Sequence, residues 1–500
     1  MSSAAAIAPA AVKTSTFASN MLIDGRAVAG EGDPITVYNP STGGVSTVLP
    51  GASAAQFAQA IRAARTAADK GEWAALRPIQ RVTSLRRFLD LLVADAASLR
   101  ALIITETGVP LSSYALEAQV GAPLRQMDSM LELYMKLPEI DENPITLDER
   151  INPMGGFVQS IRRYVPLGVV AAVSAYNFPL HISLWKLMGA LATGNTVILR
   201  PSPLTPLSAL ALVDYAIQAE LPAGVLNILS EAGAEGALLM TTDPQVDMVT
   251  FTGSTAVGSK VAAQAAPSMK RLQLELGGKS AQIFLPDKVE AASMAAMIVC
   301  TSHAGQGCVL GTRVFVPEAD KPKVLAAMQA SLAYAKIGDS TDAATTMGPV
   351  ISEAQVQRCE KYVALAVAAG AKVVAGGKRV DRPGFYFEPT VLDVPDNKNP
   401  AAQDEIFGPV IAVIGYRDID HAIEMANDSP LGLSGYVHGK NARQALDVAK
   451  RIRSGTVNVN AFFASANASS GGHKMSGVGR ERGVEGIRAF QEIQCLNLGG

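Results

Sequence analysis

The sequence predicts an α/β protein made of two βα series, and three observations predict it. At 500 residues the chain exceeds the size at which one hydrophobic core keeps growing, so about two or three domains are expected. From about residue 166 to 278, strand-like runs (GVVAAVSA, NTVILRPS, VLNILS, VDMVTF, RLQLEL) alternate with helix-length segments bounded by Gly, Pro, Ser or Thr. A second series runs from SAQIFLPD at 280 to TVNVN at 456. Such alternation builds a parallel sheet with helices on its faces, and for the first series a Rossmann-like, nucleotide-binding fold is the natural expectation.

The elements follow in order. Residues 1–20 are rich in Ala and Ser, with the first charge at Lys13, and read as a flexible tail; a signal peptide would place its basic residues ahead of an apolar run. Residues 54–136 carry helical periodicity, clearest in RVTSLRRFLDLLVADAASLRALIITETG, and should pack on the first βα domain. The uncharged stretch from Tyr164 to Trp185 contains Pro166, Gly168, Asn177, Pro179 and His181, so it is no membrane span. FVQSIRRYV (157–165) and the tail FQEIQCLNLGG alternate like strands but stand outside both series. An isolated strand leaves its backbone donors unsatisfied, so these two are expected to pair across subunits as a small β oligomerisation arm in a dimer or tetramer. The partition is then 21–145 with 166–278 as the nucleotide-binding domain, 279–470 as the second α/β domain, and 146–165 with 486–500 as the arm.

Composition narrows the function. With 48% hydrophobic and 18% charged residues the chain is a folded one, and its net charge of −2 offers no field for nucleic acid or anionic lipid. A small-molecule partner is left. The four cysteines, 300, 308, 359 and 495, are too sparse for a disulfide framework and form no CxxC pair, which fits reduced thiols in a cytoplasm and no metal site.

One of them stands apart. In AGQGCVLGTR (304–313), glycines flank Cys308 closely and no charge precedes Arg313. Taken alone, a cysteine is a small hydrophobe, and Cys300, inside the helix-like run AASMAAMIVCTSHAG, reads that way. Glycines around Cys308 instead permit a tight turn and close backbone approach, as a nucleophile and its oxyanion-binding amide require. A thiol is only slightly ionised at neutral pH, so it needs a base or a positive field. Two groups qualify: His303, and Glu275 in LELGGKS, whose glycines would let a strand-end carboxylate reach a cleft. As structural residues they read as a helix-end histidine and a solvated strand-end charge. The run VTFTGSTAVGSKV reads strand, turn, helix, so Gly253 and Ser254 form either a phosphate cradle or an ordinary N-cap.

These residues resemble the aldehyde dehydrogenase superfamily over nearly the whole chain. The marks are YNFPL at 176, GNTVILRPS at 194, FTGSTAVG at 251, LELGGKS at 274, GQGC at 305, EIFGPV at 405, and GGHKMSG at 471 followed by GRE at 479, seven in family order. The resemblance implies the aldehyde dehydrogenase fold and a hydrolytic, NAD(P)-dependent oxidation in which Cys308 attacks an aldehyde. Asn177 and the Cys308 amide would then hold the thiohemiacetal oxyanion, and Glu275 would activate water against the thioester. By the same resemblance Lys186, Arg200, Ser202, Pro203, Gly253, Ser254, Gly277, Glu405 and Phe407 fall at cofactor positions. Without it, Glu405 and Phe407 would read as a strand start and Lys186 as a solvated helix lysine.

The chain departs from the family pattern in places. Arg200-Pro201-Ser202-Pro203 replaces Lys-Pro-Ser-Glu, so the adenosine-ribose carboxylate is missing; NAD is expected to work and NADP to be accepted too, with Arg200 and Ser202 near a 2′-phosphate. Ala256 replaces a Glu, and Ser469-Ser470 replaces Pro-Phe. Phe178, Ile182, Trp185, Phe462 and Phe463 would make an apolar aldehyde entrance, with no arginine there to hold a second carboxylate. Hydrophobic or aromatic aldehydes are therefore expected over dicarboxylic semialdehydes. Two rivals stand beside this reading: a thiol hydrolase using Cys308 with His303, and a binding protein that keeps the fold without turnover.

Overall fold

The computed structural model describes residues 20–151, 153–462, 465 and 467–499. The expected tail at 1–20 therefore lies, but for Asn20, outside the described residues, as does Phe463.

The first βα series supplies β1 (Val169–Val173), β2 (Thr196–Arg200), β3 (Leu226–Ile228), β4 (Met248–Thr252) and β5 (Arg271–Glu275). All are parallel, and β1 to β4 are almost wholly buried, as Val- and Ile-rich strands covered on both faces should be. The sheet has eight strands in the order Arg26–Val28, Met21–Ile23, β3, β2, β1, β4, β5, Gly477–Val478. Helix α1 (Pro179–Ala192) follows β1, with proline at its start where a missing N–H costs nothing. Helix α2 (Glu235–Thr242) follows β3, and α3 (Thr255–Ala265) follows β4. The helices between Ala54 and Met135 join the same core, with Phe57, Phe88, Leu92 and Met127 buried in it.

The second series forms a seven-stranded sheet with its own core. Its centre is Val410–Tyr416, Arg313–Pro317, Ala281–Phe284 and Ser434–His438, all parallel. Glu405 and Phe407 lie in the loop ahead of Val410–Tyr416, not at a strand start.

Two expectations are corrected. The strands outside both series do not want for a partner: Val158–Pro166 pairs antiparallel with Gln491–Gly499 over nine residue pairs within the chain. On its other side Val158–Pro166 pairs with Ile140–Glu142, a strand that the sequence partition leaves in the first domain. Gln491–Gly499 is the edge of this three-stranded sheet, and Ile493 and Leu498 on it are exposed.

Candidate active site at the switch point of the first sheet

From β1 the chain winds through β2 to β3 on one side, then crosses to β4 and β5 on the other. Ligands in such sheets sit in the crevice beyond the carboxyl ends of the strands where the order reverses. β1 runs on into Asn177, β4 into Gly253 and Ser254, and β5 ends on Glu275, so four of the sequence-derived candidates emerge at this crevice.

The thiol comes from the other sheet's side. The loop carrying Cys308 ends at Arg313, whose guanidinium is buried and donates to the carbonyls of Lys279, Met425 and Ala426 and to Asn397 Oδ1. A Cβ on Gly278 would collide with the Cys308 carbonyl oxygen, so this glycine is what lets the β5 side approach the loop. Asn177, buried, donates from Nδ2 to the Gln306 carbonyl at 2.9 Å, which fixes its amide beside the thiol loop and leaves the second amide proton free to donate.

Burial pushes the Cys308 thiol up to about 12, with Glu405 and Glu275 adding to the rise. The resting group is a thiol. Desolvation, then the Glu481 carboxylate, holds Glu275 above the usual carboxylate range, and its Oε1 is buried without a hydrogen-bond partner. Lys186 is not the solvated helix lysine that it would be read as without the family resemblance. It is fully buried and turned inward, donating to Glu481 Oε1 at 2.7 Å and Thr250 Oγ1 at 2.9 Å, because only a carboxylate makes so buried an ammonium tolerable. Glu481 was given no role by sequence reasoning, although it sits in the GRE mark.

The cofactor positions divide. Ser254 caps α3, its Oγ accepting from Val257 N at 3.3 Å, and Thr252 Oγ1 beside it is buried without a partner. A capped helix start with free first-turn amides and an orphaned hydroxyl suits a diphosphate. Glu405 accepts from Gly278 N at 2.9 Å, in space that a side chain on Gly277 would fill. The Phe407 ring stands edge-on to Tyr176, centroids 5.9 Å apart. Arg200, by contrast, is not free: Nε bonds Glu231 Oε1 at 3.1 Å and Nη2 donates to the Gly233 carbonyl at 2.8 Å. Glu231 also accepts from Gly236 N and Ala237 N in the first turn of α2. Ser202 Oγ accepts from Leu204 N at 3.3 Å, closing the turn that contains Pro203.

At the entrance, Phe178, His181, Ile182 and Trp185 fall at the start and along one side of α1. Phe178 meets His181 edge-on at 6.2 Å and His303 at 5.7 Å, and His181 meets Trp185 at 6.3 Å. Phe462 packs on His438 at 5.2 Å. Burial lowers His303 to about 4, and neither of its nitrogens has a partner, so the Cys308–His303 pair of a thiol hydrolase is not formed. The expectation of an entrance without arginine is overturned. Arg482 lies with its guanidinium carbon 4.8 Å from the Trp185 ring centroid and donates from Nη2 to His181 Nε2 at 2.9 Å. It escaped sequence reasoning because it arrives from a loop far along the chain.

Among the described residues no group of three His, Cys, Asp or Glu could hold a metal, and no helix is long and apolar enough to cross a membrane. Fold and crevice together fit a dinucleotide-dependent oxidoreductase. The model of the aldehyde dehydrogenase family matches residues 27–496, and the chain belongs to that family. It is 36% identical over 487 residues to a betaine aldehyde dehydrogenase of Cereibacter sphaeroides, covering 96% of this chain and 97% of that one. Among solved structures it resembles the NAD+ complex of an aldehyde dehydrogenase from Bacillus cereus, with TM-score 0.92, 32% identity and 98% and 99% coverage. Aldehyde dehydrogenase C of Pseudomonas syringae, a C291A mutant with NAD+ and octanal, matches with TM-score 0.89, 33% identity and 96% and 97% coverage.

Proposed function

We propose that this aldehyde dehydrogenase oxidises aldehydes with an apolar or aromatic body to carboxylic acids through a Cys308 thioester hydrolysed with Glu275 as base. The observation that carries this is the convergence of Asn177, Glu275 and Cys308 from three separate segments on one crevice. Glu275, more basic than an ordinary carboxylate, takes the thiol proton, and the thiolate attacks the carbonyl carbon. The oxyanion forms between Asn177 Nδ2 and the Cys308 amide, where one well-placed donor contributes roughly 3 kcal/mol of barrier lowering. NAD(P), when bound with its diphosphate at Gly253 and Ser254 and its nicotinamide end near Glu405 and Phe407, supplies the hydride acceptor. Glu275, deprotonated again, then draws a proton from water as it attacks the thioester, and the Cys308 thiolate leaves.

In this reading the first sheet holds the cofactor, the second carries the thiol, and the open edge of Gln491–Gly499 pairs with a second subunit in a dimer or tetramer. Sparse unpaired thiols favour a reducing, cytoplasmic setting. Relatives named for betaine aldehyde suggest a cationic substrate, but a trimethylammonium group would meet the Arg482 charge at the entrance. Assaying a panel of aldehydes with NAD and NADP for reduced cofactor tests the reading. Ester hydrolysis without any aldehyde oxidation, or no turnover at all, would replace it with one of the two rivals.

A further inference from the structure

We propose that Arg482 is an anion receptor in the aldehyde channel, and that the preferred substrates carry a carboxylate at the end of the apolar body remote from the aldehyde. This rests on the reaction just described and names its substrate class.

The guanidinium belongs to the channel wall. It stacks on Trp185 and bonds His181, two residues of α1 on the side that begins at Phe178. Phe178 in turn touches both His181 and His303, so one aromatic wall reaches from the Arg482 patch to the segment that leads into Cys308. His181, Ile182, Cys308 and Arg482 all keep some accessible surface. Yet burial is the first cause lowering the proton affinity of both His181 and Arg482. These groups are set among protein atoms yet still reach solvent, as side chains along a cleft do.

Glu481 and Glu275 both act on the Arg482 charge, but neither makes an ion pair with its guanidinium. His181 Nδ1 lies 2.8 Å from the Ala118 carbonyl, which can only accept, so Nδ1 carries the proton and Nε2 is the lone pair facing Arg482. The histidine is therefore neutral. The adjacent carboxylate, Glu481, is engaged by Lys186. Among the described residues no carboxylate lies within ion-pair distance of Arg482, and its Nε and Nη1 make no hydrogen bond. Arginine does not shed its proton, and a guanidinium presents a planar fork that matches a carboxylate. The aldehyde end goes to Cys308, so the complementary anion must sit at the far end of the substrate, with an aliphatic or aromatic body between them against Phe178 and Trp185.

The test compares matched aldehydes on the full-length enzyme: adipate semialdehyde against hexanal, para-formylbenzoate against its methyl ester, and a quaternary-ammonium aldehyde. The expected result is a kcat/KM roughly 10-fold or more higher for each carboxylated member, with the ammonium compound poorest, as charge-assisted hydrogen bonds imply. Arg482→Leu should bring the acid-to-ester ratio down by roughly 10- to 100-fold, and Arg482→Lys should restore part of it. A readout free of turnover is terephthalate binding to Cys308→Ala enzyme, followed by Trp185 fluorescence and expected to vanish with Arg482→Leu. Equal rates for acid and ester, an unchanged ratio in the leucine variant, or equal slowing on every aldehyde would overturn the assignment. If no aldehyde is oxidised the proposed reaction fails, while terephthalate binding still decides Arg482.

Discussion

Replacing Glu231 by glutamine should shift the enzyme toward NADP. The Arg200–Glu231 pair closes the carboxyl ends of β2 and β3, with side chains only 12% and 5% exposed and Nε 3.1 Å from Oε1. At an effective dielectric of about 20, two unit charges about 4 Å apart attract by about 4 kcal/mol, so a 2′-phosphate arriving here must compete with a carboxylate already in place and is repelled by it. In Glu231→Gln the single side-chain oxygen can still accept from one of the two α2 amides, but the negative charge is gone and the guanidinium is released. A charge-assisted bond from Arg200 to the phosphate adds about 1.5–3 kcal/mol, which predicts roughly a 10- to 100-fold rise in kcat/KM for NADP relative to NAD. Initial rates with both cofactors at one saturating aldehyde measure the ratio, and a melting curve checks that the fold survives. Pro203→Glu should move the ratio the other way. A Glu231→Gln ratio within about twofold of wild type, less than any charged hydrogen bond, would show that neither residue governs the choice.

Four further outcomes are expected. Cys308→Ala should abolish oxidation while NAD binding, followed by calorimetry, persists; appreciable turnover would remove the thiol from the mechanism. Glu275→Gln should lower the steady-state rate by roughly 100-fold or more yet preserve a first-turnover burst of reduced cofactor, because deacylation needs the base. The rate should rise with pH on the alkaline side of neutrality, since burial and Glu481 raise Glu275 and only its ionised form acts. Glu481→Gln removes the repulsion and leaves Lys186 unpaired nearby, both favouring the carboxylate, so this limb should move to lower pH; a shift to higher pH would refute the coupling. Sedimentation at micromolar concentration should give a dimer or tetramer, and a monomer would mean that the edge of Gln491–Gly499 stays open.

What could be read from the sequence was local. β-Branched runs between glycines located β1 to β5, and glycine spacing singled out Cys308 and the approach of Glu275, because these depend on a few consecutive residues. What could not be read was which distant segments meet. Alternation in 157–165 showed a strand seeking a partner but not that the partner was the chain's own tail. A helix lysine ordinarily extends to solvent, and Lys186 is held inside only because Glu481 arrives from the far end of the sequence. Likewise Arg200 looked free until Glu231 folded onto it.

The same segment would join rate and selectivity in the proposed reaction. Glu481 and Arg482 are consecutive, and they reach neighbouring residues in the middle of α1: one is bonded to Lys186 and raises Glu275, the other is stacked on Trp185. Sending neighbouring side chains to these two places requires a sharp turn, and Arg482 adopts φ 62° and ψ 167°, a conformation that disfavours any side chain other than glycine's. A glycine there would relax the backbone but leave the aromatic wall without its charge. Strain kept at a non-glycine residue fits a side chain retained for what it binds, and in the proposed reaction it would tie the basicity of Glu275 and the recognition of the substrate's far end to one turn of backbone.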